Sequence, residues 1–94
     1  MRTKSKSRRV ELGKYIVADP EVCHGKPTFK GTRIMVWQVF EHLALGEALE
    51  EFPKHFPGSV SLAATREALE LGRRLFSENP ETFQSWAKLS YGKG

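Results

Sequence analysis

Ser61-Leu62-Ala63-Ala64-Thr65-Arg66-Glu67-Ala68-Leu69-Glu70-Leu71-Gly72-Arg73-Arg74-Leu75-Phe76 is the stretch on which the fold turns. Leu62, Thr65, Leu69, Gly72, Leu75 and Phe76 recur at the spacing of a helix with one buried stripe. Ser61 stands where an N-cap belongs, because its hydroxyl can accept an amide that the first turn leaves unpaired. Arg66, Glu67, Glu70, Arg73 and Arg74 are expected on the outer face, with Glu70 and Arg74 in the favourable i, i+4 order.

Immediately before this stretch, Pro57-Gly58-Ser59-Val60 is turn chemistry. Before it, Glu47–Phe56 reads as a second, shorter helix, with Leu49, Phe52 and Phe56 at helical spacing and Pro53 interrupting its interior. Val36, Trp37, Val39, Phe40 and Leu43 mark a first helix, which Gly46 stops. Two helices meeting through a short turn are compatible with a helix-turn-helix, although any helical hairpin needs similar punctuation. In that arrangement Ser61, Ala63, Ala64, Arg66 and Glu67 would face a DNA groove. Ser61 and Arg66 are then the DNA-contacting candidates, and Arg66 is the one obvious reader of a base or phosphate. The competing reading is a solvated helix face laced with ion pairs.

Nearer the N-terminus, Lys14-Tyr15-Ile16-Val17-Ala18 is a short β-prone run stopped by Asp19-Pro20. Two further β-prone pieces flank Lys30-Gly31, which predicts a tight turn with Gly31 at positive φ. At the other end, Asn79-Pro80-Glu81 predicts a fourth helix, with Asn79 as N-cap, Pro80 in the first position and Phe83, Trp86 and Ala87 on one side. The expected class is therefore mostly α: three to four helices with short N-terminal β-strands. The expected division is a flexible basic arm over 1–14, a domain over 15–78 and a C-terminal helix and tail over 79–94.

A chain of 94 residues is one domain with a thin core, so a homodimer interface would help it. The net charge of +4 is unevenly placed: Arg2, Lys4, Lys6, Arg8, Arg9 and Lys14 outweigh Glu11 at the start, leaving the rest nearly neutral. A basic segment on a neutral body suits phosphate contacts, each of which releases condensed counterions. Arg2, Lys4, Lys6, Arg8 and Arg9 are accordingly DNA-binding candidates, against the plainer reading of a solubilising tail. One cysteine excludes an internal disulfide, and no apolar run approaches the length a bilayer requires, so a cytoplasmic protein without membrane contact is expected.

Little in the chain points to catalysis. His24, His42 and His55 lie on a loop and two different helices, without the paired spacing of a metal site. Cys23 and His24 are adjacent, so on an extended chain they point to opposite faces and make a poor nucleophile pair. Gly25-Lys26-Pro27 lacks phosphate-loop spacing, and Pro27 removes an amide such a loop would use. The carboxylates read as solvated helix faces. The expectation is a binding protein and not an enzyme, with no cofactor and no metal.

The run Ile16-Val17-Ala18-Asp19-Pro20-Glu21-Val22-Cys23-His24-Gly25-Lys26-Pro27-Thr28-Phe29-Lys30-Gly31-Thr32-Arg33-Ile34 closely resembles the signature of a bacterial family named domain of unknown function 433, roughly I-x-x-D-P-x-I-x-x-G-K-P-x-[IF]-x-G-T-R-I. Val36, Leu43-Ala44-Leu45-Gly46, Phe56-Pro57 and Ser61-Leu62 through Ala68-Leu69 extend the similarity over about residues 15–76. Two departures stand out: His24 occupies a position where a second glycine is common, and an extra residue falls in Gly58-Ser59-Val60. The resemblance implies a small trihelical domain similar to homeodomain-like and helix-turn-helix folds, usually dimeric. It also implies similarity to VapB-type antitoxins, which bind their promoter DNA and mask a PIN-like ribonuclease toxin encoded beside them.

Physically the signature reads as structural: Gly31 serves a turn, Pro27 stiffens the loop, and Asp19, Gly25, Lys26, Thr32 and Arg33 complete it. Arg33 is expected to pair with Asp19 across the strands, the alternative being an arginine facing solvent. The toxin implied by the resemblance carries a carboxylate cluster, which Phe83, Trp86, Lys88 and Tyr91 would suit as aromatic anchors and a cation. Phe83 and Trp86 would equally serve to pack the fourth helix on the core. The functional expectation is an antitoxin-like dimer that binds promoter DNA and a PIN-like toxin. The alternative is a protein-interaction or assembly domain without DNA affinity.

Overall fold

The computed structural model describes residues 8–78, together with 80, 81, 84 and 85. Three strands, β1 (Val10–Glu11), β2 (Ile16–Ala18) and β3 (Thr28–Phe29), form one antiparallel sheet with β2 in the middle. Val10 pairs with Ala18 and Glu11 with Val17 on one side, and Ile16 with Phe29 and Val17 with Thr28 on the other. Two α-helices follow, α1 (Trp37–Ala44) and α2 (Leu62–Glu78), with a 3-10 helix over Leu49–His55 between them.

This overturns the expected mostly helical, helix-turn-helix class. The strands are not confined to short N-terminal pieces: the sheet reaches Phe29, and Thr28 makes a further bridge to Met35 at the entrance to α1. The segment expected as a second α-helix is a 3-10 helix containing Pro53, whose ring and missing N–H deny it an α-helical ladder. The architecture is mixed, a small sheet and two α-helices around one core. Pairing of β1 also begins within the segment expected as an arm, where Glu11 lies between Arg9, at 3.3 Å, and Lys30 of the β3 turn.

The core is made by Ile16 and Phe29 from the sheet, Val36 and Val39 at α1, Phe52 from the 3-10 helix, and Val60, Ala64 and Ala68 leading into and along α2. Ser61 caps α2 as expected, its Oγ accepting the Ala64 amide at 3.0 Å. Thr65 is wholly buried and donates its hydroxyl to the Ser61 carbonyl at 2.9 Å, so its polar atom is satisfied inside the helix. Gly31 adopts φ 79°, as a turn between Phe29 and Ile34 demands.

The stripe expected on α2 divides in two. Thr65 and Gly72 are buried beside Ala64 and Ala68, but Leu69 and Leu75 are 39% and 46% exposed. Small residues let α2 approach the core closely, which leaves the larger side chains on its flanks. Glu67, expected outside, turns back to the sheet, where its carboxylate accepts the Lys14 amide at 2.9 Å and the Tyr15 amide at 2.7 Å.

Candidate docking groove

Between α1 and α2 runs an apolar groove of about 340 Å³, lined by Trp37 and Phe40 from α1, Leu71, Gly72 and Leu75 from α2, and Pro27 from the loop before β3. Its geometry begins with a glycine. Because Gly72 has no Cβ, the Phe40 ring can lie directly on α2; a Cβ there would sit 2.5 Å from Phe40 Cζ. Pro27 is held at the groove because its carbonyl accepts the Val36 amide at 2.9 Å. Trp37 is 47% exposed, and its indole N–H points to the Met35 sulfur at 3.3 Å.

Among the described residues the lining contains no carboxylate, imidazole, thiol or amine, so the groove offers apolar area and shape. Alongside it, Arg66, Leu69, Glu70 and Arg73 edge a second depression that shares Phe40 and Gly72. Arg73 grips Glu70 through two contacts of 3.0 and 2.6 Å, and this hydrogen bonding holds the Glu70 carboxyl below the usual carboxylate range. An apolar floor with a charged rim is the anatomy of a protein-docking surface.

The signature residues are spread along the loops that hold the sheet to α1. Asp19 Oδ1 accepts the Glu21 amide at 2.9 Å, and no ion pair joins Asp19 to Arg33 among the described residues. Arg33 is exposed, and its carbonyl takes the Cys23 thiol at 3.5 Å. Thr32 Oγ1 donates to the Phe29 carbonyl at 2.8 Å and accepts the Ile34 amide at 2.9 Å, pinning the turn after β3. Gly25 has φ 84° and Lys26 is exposed. Cys23 and His24 also have positive φ, 50° and 58°, a conformation that costs side-chain-bearing residues energy.

Of the DNA-contacting candidates, Arg8, Arg9, Ser61 and Arg66 are exposed, but Ser61 Oγ is engaged in capping and Arg9 with Glu11. Ala64, expected to face a groove of DNA, is 4% exposed and belongs to the core. Arg2, Lys4 and Lys6 lie outside the described residues, as do the partner-binding candidates Phe83, Trp86, Lys88 and Tyr91. Pro80, Glu81, Gln84 and Ser85 are helical, in the region where a fourth helix was expected.

The structure also joins three residues that sequence reading kept apart. His42 Nδ1 lies 2.8 Å from Glu47 Oε1, and His55 Nε2 lies 2.7 Å from Glu47 Oε2. Hydrogen bonds from His55 and then His42 hold the Glu47 carboxyl below the usual carboxylate range, against the opposing effect of desolvation. The link between His42 and Glu47 is local. Gly46, at φ 94°, closes α1 with its amide on the Leu43 carbonyl and the Glu47 amide on the His42 carbonyl, both at 3.0 Å. That double closure sets the residue after the glycine against the residue four places before it.

A family model described as protein of unknown function (DUF433) matches residues 16–70, more than half of the chain. The chain matches no curated protein and no solved structure.

Proposed function

We propose that this chain, which belongs to the DUF433 family, is an antitoxin-like binding protein that docks an apolar helix of a protein partner in the groove between α1 and α2. The observation that carries the reading is the groove itself: Trp37 and Leu75 are each nearly half exposed on facing walls, and Phe40 is seated between them on Gly72. A half-exposed tryptophan above an apolar floor is the kind of residue that dominates interface energies. The antitoxin attribution, and with it a PIN-like ribonuclease toxin as the partner, comes from the similarity of the signature to VapB-type antitoxins. A homodimer and contact with promoter phosphates through Arg2, Lys4, Lys6, Arg8 and Arg9 complete this reading.

Co-expression with the product of the neighbouring reading frame tests it. A complex that survives purification, and that Trp37→Ser weakens at least about tenfold by removing a central anchor, supports the proposal. A neighbouring product that does not associate, or one held equally well by Trp37→Ser, contradicts it.

A second reading, a protein-docking domain without DNA affinity, draws support from two observations. The segment that would supply the first helix of a DNA-reading pair is a 3-10 helix, and Arg9 is paired with Glu11. Binding to promoter DNA that exceeds binding to random DNA would exclude this reading.

A further inference from the structure

We infer that His42, Glu47 and His55 form a binding site for a divalent transition-metal ion of the zinc type, placed between the end of α1 and the 3-10 helix. The ligand atoms of the three residues all lie within 4.8 Å of one another. Both imidazoles already address one carboxylate, at 2.8 and 2.7 Å, and their rings lie 4.7 Å apart between centroids. On a tetrahedral zinc ion, ligand atoms at about 2.0–2.1 Å from the metal stand roughly 3.4 Å from one another. The two imidazoles now meet different oxygens of Glu47, so binding requires each contact to widen by well under about 1 Å and the carboxylate to turn one oxygen, or both, toward the ion.

Backbone hydrogen bonds and ring packing support the trio. The Gly46 closure fixes Glu47 against His42, and the buried Phe52 packs edge-on against both His42 and His55. Two imidazole nitrogens and one carboxylate oxygen are a donor set that favours zinc and its neighbours over magnesium or calcium, which prefer all-oxygen cages. Three protein ligands leave a fourth position for water or a partner's side chain. The His55 side chain is 42% exposed, so that position opens to solvent. In the metal-free arrangement Nδ1 of His42 and Nε2 of His55 face the carboxylate as hydrogen-bond donors. Coordination uses the lone pair at the same nitrogens, with each ring's proton on its other nitrogen.

Titration of the tag-free full chain with zinc sulfate, followed by calorimetry and by thermal unfolding, tests the site. The expected result is one zinc per chain and a rise in unfolding temperature, because an ion that binds the folded site stabilises it. Glu47→Gln, which keeps size and one carbonyl acceptor but removes the charge, and His55→Asn, at the most exposed of the three positions, should each weaken binding at least about tenfold. His24→Gly, which changes the one histidine outside the trio, should leave binding as it was. Circular dichroism establishes that each variant is folded, and either of the two trio variants suffices if the other is not. No saturable binding by the wild-type chain, or binding retained within about threefold in a folded trio variant, overturns the proposal and leaves the three residues a hydrogen-bonded clasp.

Discussion

The ring of Phe40 rests on the face of α2 that Gly72 leaves bare, and a Cβ at that glycine would meet Phe40 Cζ at 2.5 Å and Cε1 at 3.0 Å. One missing methyl group thus sets both how closely α1 and α2 approach and where a wall of the groove stands. Gly72→Ala opposes a helix-propensity gain of about 1 kcal/mol to an overpacking cost of about 1–3 kcal/mol. The expected net effect is a loss of about 1 kcal/mol, and Phe40→Leu in the same chain should recover most of it. Urea unfolding of the single and double variants measures the coupling; independent effects would mean that the ring does not rest on the glycine.

Glu67 ties α2 to the β1–β2 connection by accepting the Lys14 and Tyr15 amides. Glu67→Ala leaves both donors without their acceptor, and the Tyr15 contact is partly buried, so a loss of about 1–3 kcal/mol is expected. Glu67→Gln retains one carbonyl oxygen and should cost less. Equal unfolding midpoints for all three chains would refute the tie.

His24 sits at φ 58°, ψ 31°, in the left-handed region, with its side chain exposed. His24→Gly relieves the left-handed conformation at the cost of a more flexible unfolded chain, for an expected gain of about 0.5–1 kcal/mol. A chain less stable than the parent would show that the imidazole makes an energetic contribution of its own.

DNA affinity, if the basic segment provides it, should depend steeply on salt. Removing residues 2–9 deletes five cations and should flatten the logarithmic salt slope by about four to five, for specific and random sequences alike. Arg66→Ala, at an exposed position on α2, should instead lower the preference for one sequence by about 1–3 kcal/mol if its guanidinium reads a base. Titrations at several ionic strengths distinguish the two, and an unchanged slope after truncation would reduce the segment to a tail.

Local chemistry made several elements legible in advance. The Ser61 cap, the Gly31 turn and the stop at Gly46 each follow from a residue's own backbone preferences. What needed the tertiary structure was everything decided by size and partnership. An apolar stripe does not reveal that Ala64, Ala68 and Gly72 bury while Leu69 and Leu75 stay outside, because that depends on how closely α2 approaches the core. Nor does periodicity separate a 3-10 helix from an α-helix, although Pro53 inside the segment carried the signal. Glu67 looked solvated because its partners are backbone amides more than fifty residues away. The His42–Glu47 contact could have been found from Gly46, since a glycine closure sets flanking side chains together. His55 could not, because its approach depends on the 3-10 helix folding back over α1.

Whether the groove between α1 and α2 holds the proposed protein partner is decided by the affinity of the neighbouring gene's product for three chains: wild type, Trp37→Ser and Leu75→Ser. A docked partner should lose at least about tenfold in affinity for each variant, with folding and free-chain sedimentation unchanged. Undiminished affinity in both variants would contradict that docking. So would a dimer that dissociates on either substitution while the partner still binds, which would make the groove the contact between two copies of this chain.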